Sequence, residues 1–125
     1  MQRNDLVVLA VDDDLINLKL LKSMLKKSGF VAEVIEVKNG SDAIDILKSR
    51  NDIDLVLLDI IMPIMGGIEM LKVARADDNL RQVPIIVLTT DETKKSEALE
   101  YGANGFLMKP IRSDDLMKKI AGIIL

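Results

Sequence analysis

The chain has 125 residues and a formal net charge of −3, with 17 Lys and Arg against 20 Asp and Glu, which is the size of one ordinary domain able to bury a core. Hydrophobic residues make up 49% and charged residues 30%, proportions typical of a folded protein rather than a disordered one. Cys and His do not occur, so disulfides, thiolate metal sites and histidine-based catalysis are excluded. One Tyr, two Phe and no tract rich in Lys or Arg argue against nucleic acid binding.

The first apolar run, Leu6–Val11, is too short for a membrane span or for the core of a signal peptide with its cleavage site. We therefore expect a cytoplasmic protein without membrane insertion. The run is unbroken and rich in β-branched residues, which predicts a strand buried on both faces. A helical spacing of apolar residues follows, with Asp13 or Asp14 as its N-cap and Gly29 as its stop.

The same order, a strand and then a helix, continues along the chain. Most of the apolar runs lack the alternation of a strand with one solvated face, which indicates a parallel sheet covered by helices on both sides. We therefore predict an α/β fold, a doubly wound five-stranded parallel sheet, as a single domain over residues 1–125. If the sheet is of the flavodoxin-like (βα)5 type, its strand order is 2-1-3-4-5. The further strands are predicted at Val31–Val37, 53–58, 85–88 and Gly105–Met108, and the further helices at 41–47 with Ser41 as cap, 68–76, 93–101, and from Ser113 as cap to the C terminus.

Polar residues stand where four of the predicted strands end, and ligands bind at the carboxyl ends of strands in open parallel sheets. If the first and third strands are neighbours, three of these carboxylates meet in one crevice. Like charges this close raise one another's pKa values unless a cation is bound, which implies a divalent metal. The residues are Asp12 and Asp13 after the first strand, Asp59 after the third, Thr89 and Thr90 after the fourth, and Lys109 after the fifth.

The types of residue in this crevice indicate a particular chemistry. Two or three carboxylates without nitrogen or sulfur ligands favour Mg²⁺ over zinc or a calcium cage. Lys109 is suited to bind a phosphate as a point charge. A carboxylate nucleophile, a metal, a lysine and a hydroxyl together indicate phosphoryl transfer to an aspartate.

At these residues the sequence resembles the receiver domain of bacterial two-component response regulators, over essentially the whole chain. Four segments in matching order carry the resemblance, and each follows or contains a predicted strand end. They read VDDD at 11–14, LLDIIMPIMGG at 57–67, LTT at 88–90 and GFLMKP at 105–110.

The resemblance implies a role for each residue of the acidic crevice. Asp59 would accept a phosphoryl group from the phosphohistidine of a sensor histidine kinase or a phosphotransfer protein. Asp13, Asp59 and the main-chain carbonyl of Ile61 would bind Mg²⁺ directly, and Asp12 would act through water. Lys109 would pair with the phosphoryl oxygens. The domain would be a signalling switch that catalyses only its own aspartyl phosphorylation and dephosphorylation.

The resemblance also implies a conformational switch. Thr89 would move its hydroxyl toward the phosphate, and Phe106 would turn inward behind it. The face made by the fourth helix, the fifth strand and the fifth helix would then bind an output protein or effector domain. The predicted fourth helix, residues 93–101, has few large apolar side chains, so we expect it to be weakly held and to shift on phosphorylation.

Two residues depart from the common family pattern. Gly66 stands where the family often has Asp, so a side chain that orders the loop is missing. Phe106 stands where many stand-alone chemotaxis members carry Tyr, so the switch would work by packing, without a hydroxyl.

The candidate residues also have simpler structural explanations. The three consecutive aspartates could supply a helix N-cap, although a cap needs one carboxylate rather than three. The corresponding explanations for the others are a turn residue for Asp59, a solvated lysine for Lys109, a strand residue for Thr89 and a core ring for Phe106.

Two other functions are compatible with parts of the pattern. A phosphatase with an aspartyl nucleophile would need a second acid two residues after Asp59, where Ile61 stands. A receiver fold that is not phosphorylated would not need the complete set of polar residues at the strand ends. A nucleotide-binding protein is excluded by the lack of both common glycine-rich phosphate-binding motifs. A stand-alone regulator and the receiver of a longer regulator share the same residues.

Overall fold

A computed structural model describes residues 4–62 and 64–124 of the chain. Strands and helices alternate throughout these residues, as the apolar patterning predicts. The elements are β1 (Leu6–Val11), α1 (Leu15–Lys27), β2 (Val31–Val37), α2 (Gly40–Ser49), β3 (Leu55–Asp59), α3 (Gly67–Ala76), β4 (Ile85–Thr89), a 3₁₀ turn (Glu92–Lys94), α4 (Lys95–Glu100), β5 (Gly105–Met108) and α5 (Ser113–Ile124).

The five strands form one parallel sheet in the order β2-β1-β3-β4-β5, which confirms the predicted fold. The register pairs Val11 with Leu58 and Thr89 with Met108, so the carboxyl ends of neighbouring strands lie at one edge of the sheet. The chain order reverses between β1 and β3. A crevice between diverging loops is therefore expected at this point.

Helices cover both faces of the sheet. Successive side chains of a strand point to opposite faces, so each strand contributes to two core clusters. Val8 and Ala10 of β1 belong to a core cluster shared with α1 and α5. Leu9 and Val11 belong to a second cluster shared with α2, α3 and α4. Burying each large apolar side chain contributes roughly 1.5–3 kcal/mol, so a continuous apolar run such as β1 is stable only between two helix layers.

The helix starts confirm one of the predicted caps and contradict two others. Asp14 caps α1 by accepting hydrogen bonds from the N–H groups of Ile16 and Asn17. The predicted cap of α2, Ser41, is wrong: Asn39 is the cap, and its side-chain oxygen accepts from the N–H of Asp42 at 2.8 Å. Ser41 instead lies in the first turn, because the cap of α2 is two residues earlier in the chain than predicted.

The other differences at element ends are small. The third strand begins at Leu55 rather than at residue 53 and includes Asp59. The fourth helix is divided into the 3₁₀ turn and α4. Ser113 is the first residue of α5 and not its cap, since the N–H of Leu116 donates to the carbonyl of Arg112 at 3.0 Å. Among the described residues, no helix is long and apolar enough to cross a membrane.

Candidate functional site

The predicted polar residues lie at the carboxyl edge of the sheet. Asp12 follows β1 and is 1% exposed, Asp59 ends β3 and is 7% exposed, and Thr89 ends β4 and is 1% exposed. Lys109 directly follows β5. Residues that are 20 to 97 positions apart in sequence therefore lie at one edge of the sheet, because their strands are parallel and end together.

Three carboxylates form a cluster with the composition of a metal site. One oxygen from each of Asp12, Asp13 and Asp59 lies within 4.8 Å of the other two. Asp12 and Asp59 are buried and Asp13 is exposed, so the cluster opens to solvent on one side. Ile61, whose carbonyl the resemblance assigns to the metal, lies in the loop after β3 with its side chain exposed. An all-oxygen set of this kind suits Mg²⁺, which keeps part of its water shell.

Lys109 bridges two of the three carboxylates. Its Nζ lies 2.9 Å from Oδ2 of Asp12 and 3.2 Å from Oδ1 of Asp59. The backbone N–H of Lys109 donates to the carbonyl of Thr89 at 2.8 Å, and the peptide bond between Lys109 and Pro110 is cis. One ammonium against three carboxylates leaves a formal charge of −2, which matches a divalent cation.

The electrostatic environment differs between the two partners of this ion pair. Burial raises the pKa of Asp59, and the neighbouring Asp12 carboxylate raises it further, although Lys109 acts in the opposite direction. Burial lowers the pKa of Lys109, but the hydrogen bond to Asp12 and the charge of Asp59 outweigh burial, so that this pKa is raised overall. The lysine is therefore held as the cation, while the Asp59 carboxylate binds a proton more readily than an ordinary aspartate does.

Thr89 and Phe106 share one face of the sheet. Phe106 of β5 pairs with Val87 of β4, two residues before Thr89, and residues two apart on a strand point to the same face. Phe106 is half-buried against the core cluster on the side of α2, α3 and α4. The hydroxyl of Thr89 accepts a hydrogen bond from the N–H of Asp91 at 3.1 Å.

The loop after β3 depends on a glycine that the sequence analysis did not single out. A Cβ on Gly67 would clash with the carbonyl oxygen of Asp59, and the Gly67 N–H donates to the carbonyl of Ile60 at 2.8 Å. Gly66 is the N-cap of α3 and makes no side-chain capping bond, as its lack of a side chain requires. The adjacent pair of glycines was the available signal for this close approach. Pro63 lies outside the described residues.

The fold and the crevice define a doubly wound α/β domain with an acidic, lysine-bridged site at its switch point. Residues 8–121 match the family described as the response regulator receiver domain. The chain therefore belongs to this family and is a receiver domain of two-component signalling. Receiver domains of this kind interact with histidine kinases and with output domains.

Relatives and solved structures agree with this assignment. The chain is 31% identical over 119 residues to the two-component response regulator ORR11 of Oryza sativa subsp. indica, covering 94% of this chain and 80% of the relative. The chemotaxis response regulator CheY4 of Vibrio cholerae matches with a TM-score of 0.85 and 31% identity over 94% of this chain and 98% of that one. The receiver domain of the sensor histidine kinase PA1611 from Pseudomonas aeruginosa has a magnesium ion coordinated in its active site cleft. It matches with a TM-score of 0.86 and 28% identity over 95% of this chain and 97% of that one.

Proposed function

We propose that Asp59 accepts a phosphoryl group from the phosphohistidine of a histidine kinase or phosphotransfer protein. The observation that carries this proposal is the position of the Asp59 carboxylate, within 4.8 Å of two other carboxylates and 3.2 Å from the ammonium of Lys109. A carboxylate oxygen of Asp59 forms a bond to phosphorus while the bond from phosphorus to the imidazole nitrogen breaks, and the electron pair of that bond stays on the imidazole.

The three aspartates and one backbone carbonyl are the proposed ligands of Mg²⁺. Asp13, Asp59 and the carbonyl of Ile61 would bind it directly, and Asp12 would act through a water molecule. The formal charge of −2 on the cluster with Lys109 supports binding of a divalent cation. When bound, Mg²⁺ neutralises the charge that develops on the transferring phosphoryl oxygens.

Lys109 is the proposed partner of the phosphoryl oxygens. In the unphosphorylated protein its ammonium lies between Asp12 and Asp59, so a small movement would suffice to reach a group bound to Asp59. A lysine whose pKa is raised stays protonated at neutral pH and keeps its charge for this contact.

The proposed output is a change in the face formed by α4, β5 and α5. Thr89 would move its hydroxyl toward the phosphoryl group, and Phe106 would turn inward on the same face of the sheet. Phe106 is half-buried, so part of its ring surface is still exposed and could be buried by this turn. The altered face would bind an output protein or effector domain.

We further propose that residues 1–125 form one receiver domain that acts on no external substrate. The family match over residues 8–121 and the two core clusters on a single sheet support one domain. The hydrophobic Ile61 occupies the position where a phosphatase of this general type would need its second acid. The catalysed reactions would then be phosphorylation of Asp59 and its reversal.

The test is the intact mass of the protein after incubation with a small acyl phosphate, with Mg²⁺ or with a chelator. We expect the mass of one phosphoryl group to be gained only with Mg²⁺, and to be lost in Asp59→Asn. A phosphoryl group that persists in Asp59→Asn would place the acceptor elsewhere. No gain under any condition, with Mg²⁺ binding measured separately, would favour a receiver fold that is not phosphorylated.

A further inference from the structure

Two consecutive hydrogen-bonded turns connect the end of β4 to the start of the fourth helix. The hydroxyl oxygen of Thr89 accepts from the N–H of Asp91 at 3.1 Å. The carboxylate of Asp91 in turn accepts from the N–H of Thr93 at 3.0 Å and from the hydroxyl of Thr93. Asp91 is therefore the N-cap of the 3₁₀ turn and is bonded at the same time to the end of β4.

The two ends of the fourth helix are held very differently. At the C-terminal end, the ammonium of Lys72 lies 4.4 Å from the ring centre of Tyr101. The guanidinium of Arg75 donates to the carbonyl of Gly102 and to the side chain of Asn104, both at 3.0 Å. Two cations from α3 thus fix the end of the helix and the loop after it.

The N-terminal end lacks comparable contacts in the structure described. Lys94 occupies the N-cap position of α4 and makes no side-chain capping bond. Within α4, where every residue is described, Ala98 alone is buried, and Leu99 is 44% exposed. Little apolar area therefore opposes movement of this end. Among the described residues, the hydrogen bonds of Asp91 connect this end to β4.

We propose that Asp91 is a positioning residue that ties the start of the fourth helix to the hydroxyl of Thr89. This inference rests on the proposed phosphorylation of Asp59. If the Thr89 hydroxyl turns toward a phosphoryl group, the N–H of Asp91 loses its acceptor, and a donor without a partner destabilises the turn. Asp91 then moves and takes Thr93 with it through the cap, while the other end of the helix stays anchored at Arg75.

Amide hydrogen exchange in the full chain tests this link, with acyl phosphate and Mg²⁺ supplied continuously to keep the protein phosphorylated. In the wild type we expect the Asp91 amide and the amides of residues 93–100 to exchange faster on phosphorylation. In Asp91→Ala, residues 93–100 should exchange about fivefold faster before phosphorylation, the equivalent of about 1 kcal/mol for a lost cap. Phosphorylation should then change the exchange rates of these amides less than it does in the wild type. Asp91→Asn keeps the capping oxygen and should restore the wild-type response.

Intact mass distinguishes failure of this inference from failure of the proposed function. No phosphoryl gain on Asp59 would contradict the function itself. A phosphorylated Asp91→Ala whose fourth helix responds as in the wild type would overturn the positioning role of Asp91. The wild-type Asp91 amide gives a second test that needs no variant: unchanged protection of this amide after phosphorylation would also overturn the link.

Discussion

The buried carboxylate of Asp59 makes stability depend on pH in a predictable direction. Burial raises the pKa of Asp59 above its ordinary value near 3.8. The folded state therefore binds this proton more tightly than the unfolded state does. As pH rises from the ordinary value through the raised one, the contribution of Asp59 to the free energy of unfolding falls.

The substitution Asp59→Asn tests this sign. In the presence of a chelator, we expect the variant to have a higher free energy of unfolding at neutral pH than the wild type, because a buried carboxylate that lies beside the like charge of Asp12 is removed. Denaturant unfolding should be measured at a series of acidic pH values. The part of the free energy of unfolding that falls as pH rises through the raised pKa of Asp59 should be present in the wild type and absent from the variant. The exposed Asp45, changed to Asn, is the matched control. Equal stability of Asp59→Asn and the wild type at neutral pH would contradict the prediction.

A second residue-scale prediction concerns backbone strain beside the site. Ile64 has φ of 69°, the left-handed region that β-branched residues avoid, and its side chain is 83% exposed. Ile64→Asn should therefore raise the free energy of unfolding by about 1 kcal/mol, because Asn tolerates this conformation and little apolar contact is lost. Denaturant unfolding measures the change.

Gly29 provides the opposite test of the same principle. Its φ is 86°, and no described heavy atom beyond its two chain neighbours lies within 4 Å of the position that a Cβ would occupy. Gly29→Ala should therefore destabilise the protein through backbone strain alone, by about 1 kcal/mol. If Ile64→Asn lowered stability while Gly29→Ala behaved as expected, the Ile64 side chain would be making a stabilising contact that outweighs its strain.

At the scale of elements, Arg75 joins three separate segments. Its guanidinium donates to the carbonyls of Gly102 and Arg81 and to the side chain of Asn104, and the same Asn104 oxygen accepts from the N–H of Ile85. Burial lowers the pKa of Arg75, because it removes water from around the guanidinium. Carbonyl and amide oxygens therefore stabilise the guanidinium charge by accepting its hydrogen bonds.

Replacement of Arg75 by Met should remove this junction. We expect a loss of about 1–3 kcal/mol in the free energy of unfolding, because several acceptors are left without a donor. Faster amide exchange should be concentrated in residues 101–104. The matched variant Lys72→Met removes only the contact with the Tyr101 ring and should cost about 0.5–1 kcal/mol. Exchange that increases equally throughout the chain would show a global effect rather than a local junction.

At the scale of the whole molecule, a bound cation should stabilise the fold. A ligand that binds only the folded state adds about 2.7 kcal/mol at a hundredfold excess over its Kd. We therefore expect Mg²⁺ to raise the thermal unfolding midpoint, measured against NaCl of matched ionic strength. The exposed Asp13, changed to Asn, should reduce this increase with little effect on the fold itself. An equal increase in the wild type and Asp13→Asn would contradict a site at this cluster.

The general architecture was predictable because its signals are local. Uninterrupted apolar runs such as Leu6–Val11 indicate strands covered on both faces, and the strand order found is the one expected. The helix start at Asn39 was not predictable in the same way. Ser41 is an equally good capping residue by type, and the choice depends on Gly40 fitting closely against the loop at Met65.

The sequence by itself determined which residues stand at the strand ends, since apolar runs stop at Asp12, Asp59 and Thr89. Only the tertiary structure decided what each of them contacts. Lys109 pairs with both Asp12 and Asp59, and Asp91 is the donor to Thr89. The physical reason is that a strand end follows from hydrophobicity along a few neighbouring residues. The partner of a charged group is instead fixed by ångström-scale distances between segments that are remote in the chain.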